Sequence, residues 1–185
     1  RARAVGLARM FLAGPPLLAA ALARGPDLSA LPPSAAHRVL IWDFTLARIG
    51  DRPWLGWGMD ASRSLPGSQD TFDSATLERF GLTAPEERVA FGQNAAQLPL
   101  HPHNAALHIW LETGIVGAVL AAALLATLAF GLGATPAIAS AGLGVLASGI
   151  VTGFLSFGVW QPWWVATLML VAVTFVALRR NAPPR

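Results

Sequence analysis

A group of polar residues stands directly before and inside a long apolar run, and their types suit proton transfer. The segment His101–Asn104 precedes the run, and Asn104, His108 and Glu112 then recur at intervals of four residues. Residues four apart share one face of a helix, so the spacing predicts a polar stripe. A histidine with a pKa near its ordinary value of about 6.5 can serve as a general base or orient a hydroxyl group.

The first histidines of this group are expected to lie at the start of a helix. Asn104 is a suitable N-cap, and Pro102 disfavours an earlier helix start. His103 would then lie at a helix N-terminus, where free N–H groups and a partial positive charge favour anions.

The polar stripe should face protein rather than lipid. A carboxylate inside an apolar span costs about 2–3 kcal/mol unless it faces protein or water. We therefore expect His108 and Glu112 to pair, and Glu112 to orient His108 or an upstream arginine. A purely structural clasp between helices is the alternative interpretation.

A metal site is a second interpretation of the same residues. Three histidines and one glutamate lie between His101 and Glu112, which is a ligand-rich composition. However, His101 and His103 precede the helix, so only two ligands would share a face. We predict neither a metal site nor a cofactor.

Arg38 is a candidate anion ligand. It begins an amphipathic pattern that predicts a helix ending at Gly50–Asp51, and it stands four residues before Trp42. The arginine guanidinium suits bidentate binding of phosphate. A solvated surface arginine is the alternative. The run Pro53–Gly58 predicts a rigid turn after the helix.

The composition indicates which kind of structure must position these residues. The chain has 185 residues, of which 54% are hydrophobic and 12% charged, whereas soluble domains carry about 25% charged residues. No charged residue occurs from Thr113 to Leu178. These features exclude an ordinary soluble domain, and the absence of a basic and aromatic patch argues against a nucleic-acid partner.

Four apolar runs approach the length of about 20 residues that a bilayer requires. Arginines flank both ends of the chain, which predicts cytoplasmic termini. Trp160, Trp163 and Trp164 are expected in an aromatic belt. The runs are residues 4–23, 105–128, 137–157 and 159–178.

We therefore predict an all-α polytopic membrane protein with about four transmembrane helices. Residues 1–23 would form the first, and residues 105–180 the other three. Residues 24–104 would form a large loop with amphipathic helices on the membrane surface, including short helices near 71–80 and 85–91. Residues 181–185 would be a cytoplasmic tail. The chain begins with Arg1, so we expect a fragment of a larger protein.

The ordered motifs resemble one known family. The order Arg38-x-x-x-Trp42, Pro53–Gly58, His101–Leu107 and Trp110–Gly117 is similar to that of the O-antigen ligase/polymerase family of bacterial envelope proteins. The resemblance covers roughly residues 37–120.

The resemblance implies a GT-C-like partial bundle with metal-independent, inverting glycosyltransferase activity. Such an enzyme transfers a glycan from an undecaprenyl-diphosphate carrier to an acceptor hydroxyl, on lipid A-core or on a glycan chain. His103 corresponds to the functional histidine of the family, and Arg38 to its diphosphate-binding arginine. His101, Asn104 and Glu112 are expected to bind substrate. The implied location is the bacterial inner membrane, with the large loop in the periplasm.

Several alternatives remain open. Ligases, polymerases and protein-glycosylating members share these motifs. The family also uses basic residues nearer its N-terminus, which we do not find here, so we expect the site in this chain to be incomplete. A non-enzymatic transporter or scaffold segment, or an inactive fragment of the family, is the competing prediction.

Overall fold

The computed structural model describes residues 2–131 and 136–180, in which the regular elements are helices. A 3₁₀ turn covers Ala61–Ser64, and the one β contact among the described residues is an isolated bridge between Thr71 and Ala96. This confirms the all-helical prediction, whereas the predicted tail 181–185 lies outside the described residues. The helices are α1 (Ala2–Leu22), α2 (Pro33–Asp51), α3 (Ser74–Arg79), α4 (Pro85–Gly92), α5 (Ala105–Gly131), α6 (Pro136–Leu155) and α7 (Pro162–Arg180).

One helix of the described residues, α5, is long and apolar enough to cross a membrane. The apolar parts of α1, α6 and α7 are shorter, at Ala8–Leu22, Ala139–Leu155 and Pro162–Leu178. Helices thus form where the four spans were expected, and the number of spans stays a prediction.

Helix α1 packs against α5 through a bond that its prolines make possible. Pro15 lies inside α1 and has no N–H, so the carbonyl of Phe11 loses its usual helical donor. The indole of Trp110 on α5 donates to that carbonyl at 3.1 Å. The Phe11 side chain is buried beside Ala106 and Ala122 of α5, which holds α1 against that helix.

The segment 24–104 packs around α2, in a hydrophobic core that Leu22 of α1 also joins. One face of α2 packs Ala36 and Leu40 against residues of α3 and α4. Another face packs Ile41 and Phe44 against the beginning of α5. The amphipathic helix predicted from Arg38 therefore exists, and it is anchored on two sides.

Among the helices of residues 24–104, the larger differences between the observed and the predicted bounds lie at the helix starts. Helix α2 begins at Pro33, ahead of the predicted Arg38, because the fixed φ of proline suits the first helical turn. Helix α3 begins at Ser74, since Asp73 caps it by accepting from the Thr76 amide at 2.6 Å. Helix α4 begins at Pro85, as expected.

Candidate functional site

The polar stripe of Asn104, His108 and Glu112 faces the protein interior. His108 is 4% exposed and Glu112 is 1% exposed, and His108 Nε2 lies 3.0 Å from Glu112 Oε1. Asn104 Oδ1 accepts from the amides of Ala106 and Leu107 at 3.1 and 3.2 Å. The predicted pair and the predicted N-cap are thus both present.

The Glu112 carboxylate is saturated by donors from three parts of the chain. Besides His108, it accepts from the Asp60 amide at 2.8 Å, the Ser62 amide at 3.0 Å and the Ser62 hydroxyl at 2.5 Å. The indole N–H of Trp160 donates to Glu112 Oε2, the oxygen that also accepts from the Asp60 amide. Charge-assisted bonds of this number stabilise a buried carboxylate. They also leave it little capacity to contact a substrate directly.

The turn Pro53–Gly58 inserts into a break in α5. Gly114 has φ 62° and ψ −162°, which interrupts the helix. The Trp57 amide donates to the Leu111 carbonyl at 3.0 Å, and the Ile115 amide donates to the Pro53 carbonyl at 2.8 Å. The turn therefore satisfies the backbone groups that the break releases. It also holds Asp60 and Ser62 beside Glu112.

Two glycines allow this close backbone contact. A Cβ added at Gly56, where φ is +67°, would lie 2.4 Å from the Glu112 backbone carbon. A Cβ added at Gly114 would lie 2.3 Å from the Trp54 backbone. Each position thus requires glycine for both its conformation and its space.

Three histidine rings lie together at the start of α5. The His101 and His103 ring centroids are 4.3 Å apart, and the His101 ring is stacked 6.0 Å from that of His108. The His103 backbone is left-handed, with φ 51°. Its amide donates to His101 Nδ1 at 3.2 Å, which stabilises that conformation.

Among the described residues, one ring nitrogen of His103 has a hydrogen-bond partner and the other has none. Nδ1 lies 3.0 Å from the Ser156 carbonyl, which can only accept, so the proton resides on Nδ1 and the lone pair on Nε2. Burial lowers the pKa of His103, the bond to Ser156 opposes that shift, and the nearby charge of Arg38 adds to it. The ring is therefore neutral near pH 7 and can accept a proton.

Arg38 and Trp42 share one face of α2 and both face this cluster. The Trp42 indole donates to the Pro102 carbonyl at 2.9 Å. Arg38 is half-buried, and within residues 2–131 and 136–180 no carboxylate or other acceptor is bonded to its guanidinium. It is thus a cation available for an anionic ligand near His103.

The sequence did not predict several hydrogen-bond partners of His103, His108 and Glu112. These partners all lie far along the chain from the residues that they contact. Trp160, expected in the aromatic belt, contributes its indole to the site, and the others contribute backbone groups or one hydroxyl. These partners are Asp60, Ser62, Ser156, Val159 and Trp160.

In the part of the chain that the structure describes, no group of three or more His, Cys, Asp and Glu side chains is arranged to hold a metal ion. Both ring nitrogens of His108 are engaged, by the Val159 amide at 3.3 Å and by Glu112.

Comparisons with known proteins converge on one family. The family model described as O-antigen ligase matches residues 3–122, a range that includes Arg38, His103 and Glu112. A protein of Rickettsia prowazekii, provisionally named a polysaccharide ligase, is 31% identical over 143 residues, which is 76% of this chain and 32% of the relative. Similarly named proteins of Rickettsia conorii and Rickettsia felis are 30% and 29% identical over 143 residues, 76% of this chain and 31% of each relative. The chain therefore spans about a third of the length of these relatives. No solved structure matches significantly.

Proposed function

Because this chain belongs to the O-antigen ligase family, we propose that it forms part of an enzyme that transfers a glycan to an acceptor hydroxyl in bacterial envelope polysaccharide assembly. We propose undecaprenyl diphosphate as the donor carrier, and lipid A-core or a growing glycan chain as the acceptor. The polysaccharide ligase names of the relatives support the reaction class.

One observation carries the proposal at the level of residues. The free Nε2 of neutral His103 lies near Arg38, a half-buried cation without a carboxylate partner among the described residues. A base and an anion ligand on neighbouring elements suit a transfer in which a hydroxyl loses a proton as a diphosphate departs.

The proposed step balances protons and electron pairs. The acceptor oxygen attacks the anomeric carbon opposite the diphosphate while His103 Nε2 takes the hydroxyl proton. The carbon–oxygen bond to the diphosphate breaks, and its electron pair stays on the diphosphate. Arg38 and the N-terminus of α5 stabilise the resulting charge. The anomeric configuration is inverted, and no metal takes part.

The remaining predicted residues take supporting roles. Asn104 fixes the start of α5, and its amide group can contact a sugar hydroxyl. His101 holds the His103 backbone through its Nδ1. For Glu112 we propose a positioning role, since its oxygens accept bonds from five protein donor groups.

The proposed setting is the bacterial inner membrane, with residues 24–104 in the periplasm. Helix α5 has the length and composition of a membrane span, and the site lies at its first turns. A carrier with a lipid tail could then present its diphosphate at the membrane surface near Arg38.

Complementation tests the proposal in cells. A surface-polysaccharide mutant receives the complete gene as wild type, His103→Ala, Arg38→Ala or Arg88→Ala. Arg88 is the matched control, because it forms a surface ion pair with Glu78. We expect the first two variants to lose the polysaccharide and the control to retain it. Full activity of both His103→Ala and Arg38→Ala at normal expression would contradict the proposal.

Two further measurements refine the same experiment. Chelator added to membranes should leave glycan transfer unchanged. A loss of transfer on adding chelator would indicate a metal requirement. The length distribution and the attachment point of the product distinguish a ligase from a polymerase.

A further inference from the structure

The turn between α6 and α7 reaches back over the start of α5. Residues 156–161 form this turn, which lies outside the range of the family-model match. Three of its groups bond three different residues of the site. The Ser156 carbonyl accepts from His103, the Val159 amide donates to His108, and the Trp160 indole donates to Glu112.

These bonds determine where the protons of two histidines reside. The Ser156 carbonyl can only accept, so His103 carries its proton on Nδ1. The Val159 amide can only donate, so His108 accepts on Nδ1 and carries its proton on Nε2, toward Glu112. The two rings are thus held in opposite tautomers by one turn.

The same turn sets how closely the rings can pack. A Cβ added at Gly158 would lie 3.2 Å from His101 Cδ2 and 3.4 Å from His108 Cε1. The contact with His101 is tighter than an ordinary van der Waals contact and both rings are buried, so an added methyl group requires the turn to shift by a few tenths of an ångström relative to α5. Gly158 therefore allows Ser156 and Val159 to reach their histidines.

We propose that the α6–α7 turn is a positioning element that holds His103 in the Nδ1–H tautomer, with Gly158 and Trp160 as its positioning residues. The part of this inference that concerns catalysis rests on the function proposed above. Without the Ser156 carbonyl, His103 can place its proton on Nε2, where a base requires a lone pair. The turn thus acts on the reaction through His103, without contact to the substrate.

Nitrogen-15 NMR of labelled histidine tests the tautomer without any need for activity. The complete protein is prepared in detergent micelles at pH 8 as wild type, Gly158→Ala and Trp160→Phe. The His103 signals are assigned by their absence in His103→Asn. We expect Nδ1–H in the wild type, and mixed or Nε2–H populations in both turn variants.

Two matched controls separate this effect from a general loss of packing. Gly144→Ala adds a methyl group on α6 where nothing lies within 4 Å. Trp54→Phe alters a tryptophan outside the α6–α7 turn that is 71% exposed. Both controls should keep the wild-type tautomer. A wild-type His103 protonated on Nε2, or turn variants identical to the controls, would overturn the proposal.

Transfer kinetics of the same variants test the consequence for catalysis. We expect kcat of Gly158→Ala and Trp160→Phe to fall on the order of 10- to 100-fold with KM little changed, because a base is misplaced while the substrate sites remain. A changed tautomer with unchanged kcat would contradict His103 as the base and leave the positioning by the turn standing. The two failures are therefore distinguishable.

Discussion

Leu111 and Ile115 would bond to each other in an unbroken α-helix, yet each bonds to the turn Pro53–Gly58 instead. The Leu111 carbonyl accepts from Trp57, and the Ile115 amide donates to Pro53. One residue further along, the Glu112 carbonyl accepts from Gly58, and the Val116 amide donates to Trp54. Two helical bonds are thus replaced by four bonds to the turn, which ties two distant motifs into one unit.

The first prediction concerns the glycines of this contact. Gly56→Ala and Gly114→Ala should each destabilise the fold by at least about 1–2 kcal/mol, because a left-handed backbone disfavours a Cβ, and the backbone clash adds to this. Thermal unfolding in detergent measures the effect.

The control for these glycines lies on α2. Gly50 has nothing within 4 Å of an added Cβ, so Gly50→Ala should be neutral, or stabilising by up to about 1 kcal/mol, through helix propensity. Unfolding midpoints of Gly56→Ala and Gly114→Ala at or above that of Gly50→Ala would disprove the inserted turn.

The second prediction concerns Glu112. Glu112→Gln replaces one carboxylate oxygen by an NH₂ group that faces N–H and O–H donors. Leaving a buried donor without an acceptor costs about 1–3 kcal/mol, so we expect a lower unfolding midpoint and lower expression. The exposed Glu86 is the control, and Glu86→Gln should behave as wild type. Equal midpoints for the two variants would argue against a saturated Glu112.

The third prediction concerns the bond between Trp42 and Pro102. Trp42→Phe keeps an aromatic ring but removes the N–H donor, which should lower the unfolding free energy by about 1 kcal/mol. It should also lower transfer activity, because the His101–Asn104 segment loses its anchor on α2. Trp54 is 71% exposed, and Trp54→Phe should change neither quantity. A Trp42→Phe variant with wild-type stability would show that the bond contributes nothing.

The fourth prediction concerns acid stability. Burial, with nearby positive charges, lowers the pKa of His101 from 6.5 to about 4, and the pKa of His103 is also lowered. Between pH 6.5 and about pH 4, these histidines bind more protons in the unfolded chain than in the folded one. Stability should therefore fall as the pH decreases from 6.5 towards 4, and this contribution should be constant above 6.5.

Unfolding midpoints at pH 7.5 and pH 5 measure this effect. The midpoint should be lower at pH 5, and His101→Gln should reduce the difference, since glutamine does not titrate. A difference that is unchanged in His101→Gln would show that other groups cause the acid sensitivity.

Much of the fold could be predicted because its signals are local. Apolar periodicity located α2, and the capping preference of asparagine located the start of α5. The four-residue spacing of His108 and Glu112 predicted their contact, because helical geometry fixes which neighbours meet. The family resemblance supplied the pairing of Arg38 with His103, which no local rule gives.

The rest of the site depends on contacts between distant segments. Ser62 and Trp160 lie 50 and 48 residues from Glu112, and no periodic pattern links them. The break at Gly114 was hidden in an apolar run that is typical of a continuous helix. A Pro–Gly turn and a Glu-x-Gly motif each specify local geometry, and only the structure shows that one inserts into the other.

The most direct test of the central claim is the rate of glycan transfer by the purified complete enzyme with His103→Gln. Glutamine keeps a similar size and can still form hydrogen bonds, but it cannot take a proton near neutral pH. With a lipid-diphosphate glycan donor and a defined acceptor, we predict that kcat falls on the order of 10²–10⁴-fold, while Arg88→Gln stays at the wild-type rate. A His103→Gln enzyme that transfers glycan at the wild-type rate would contradict the account.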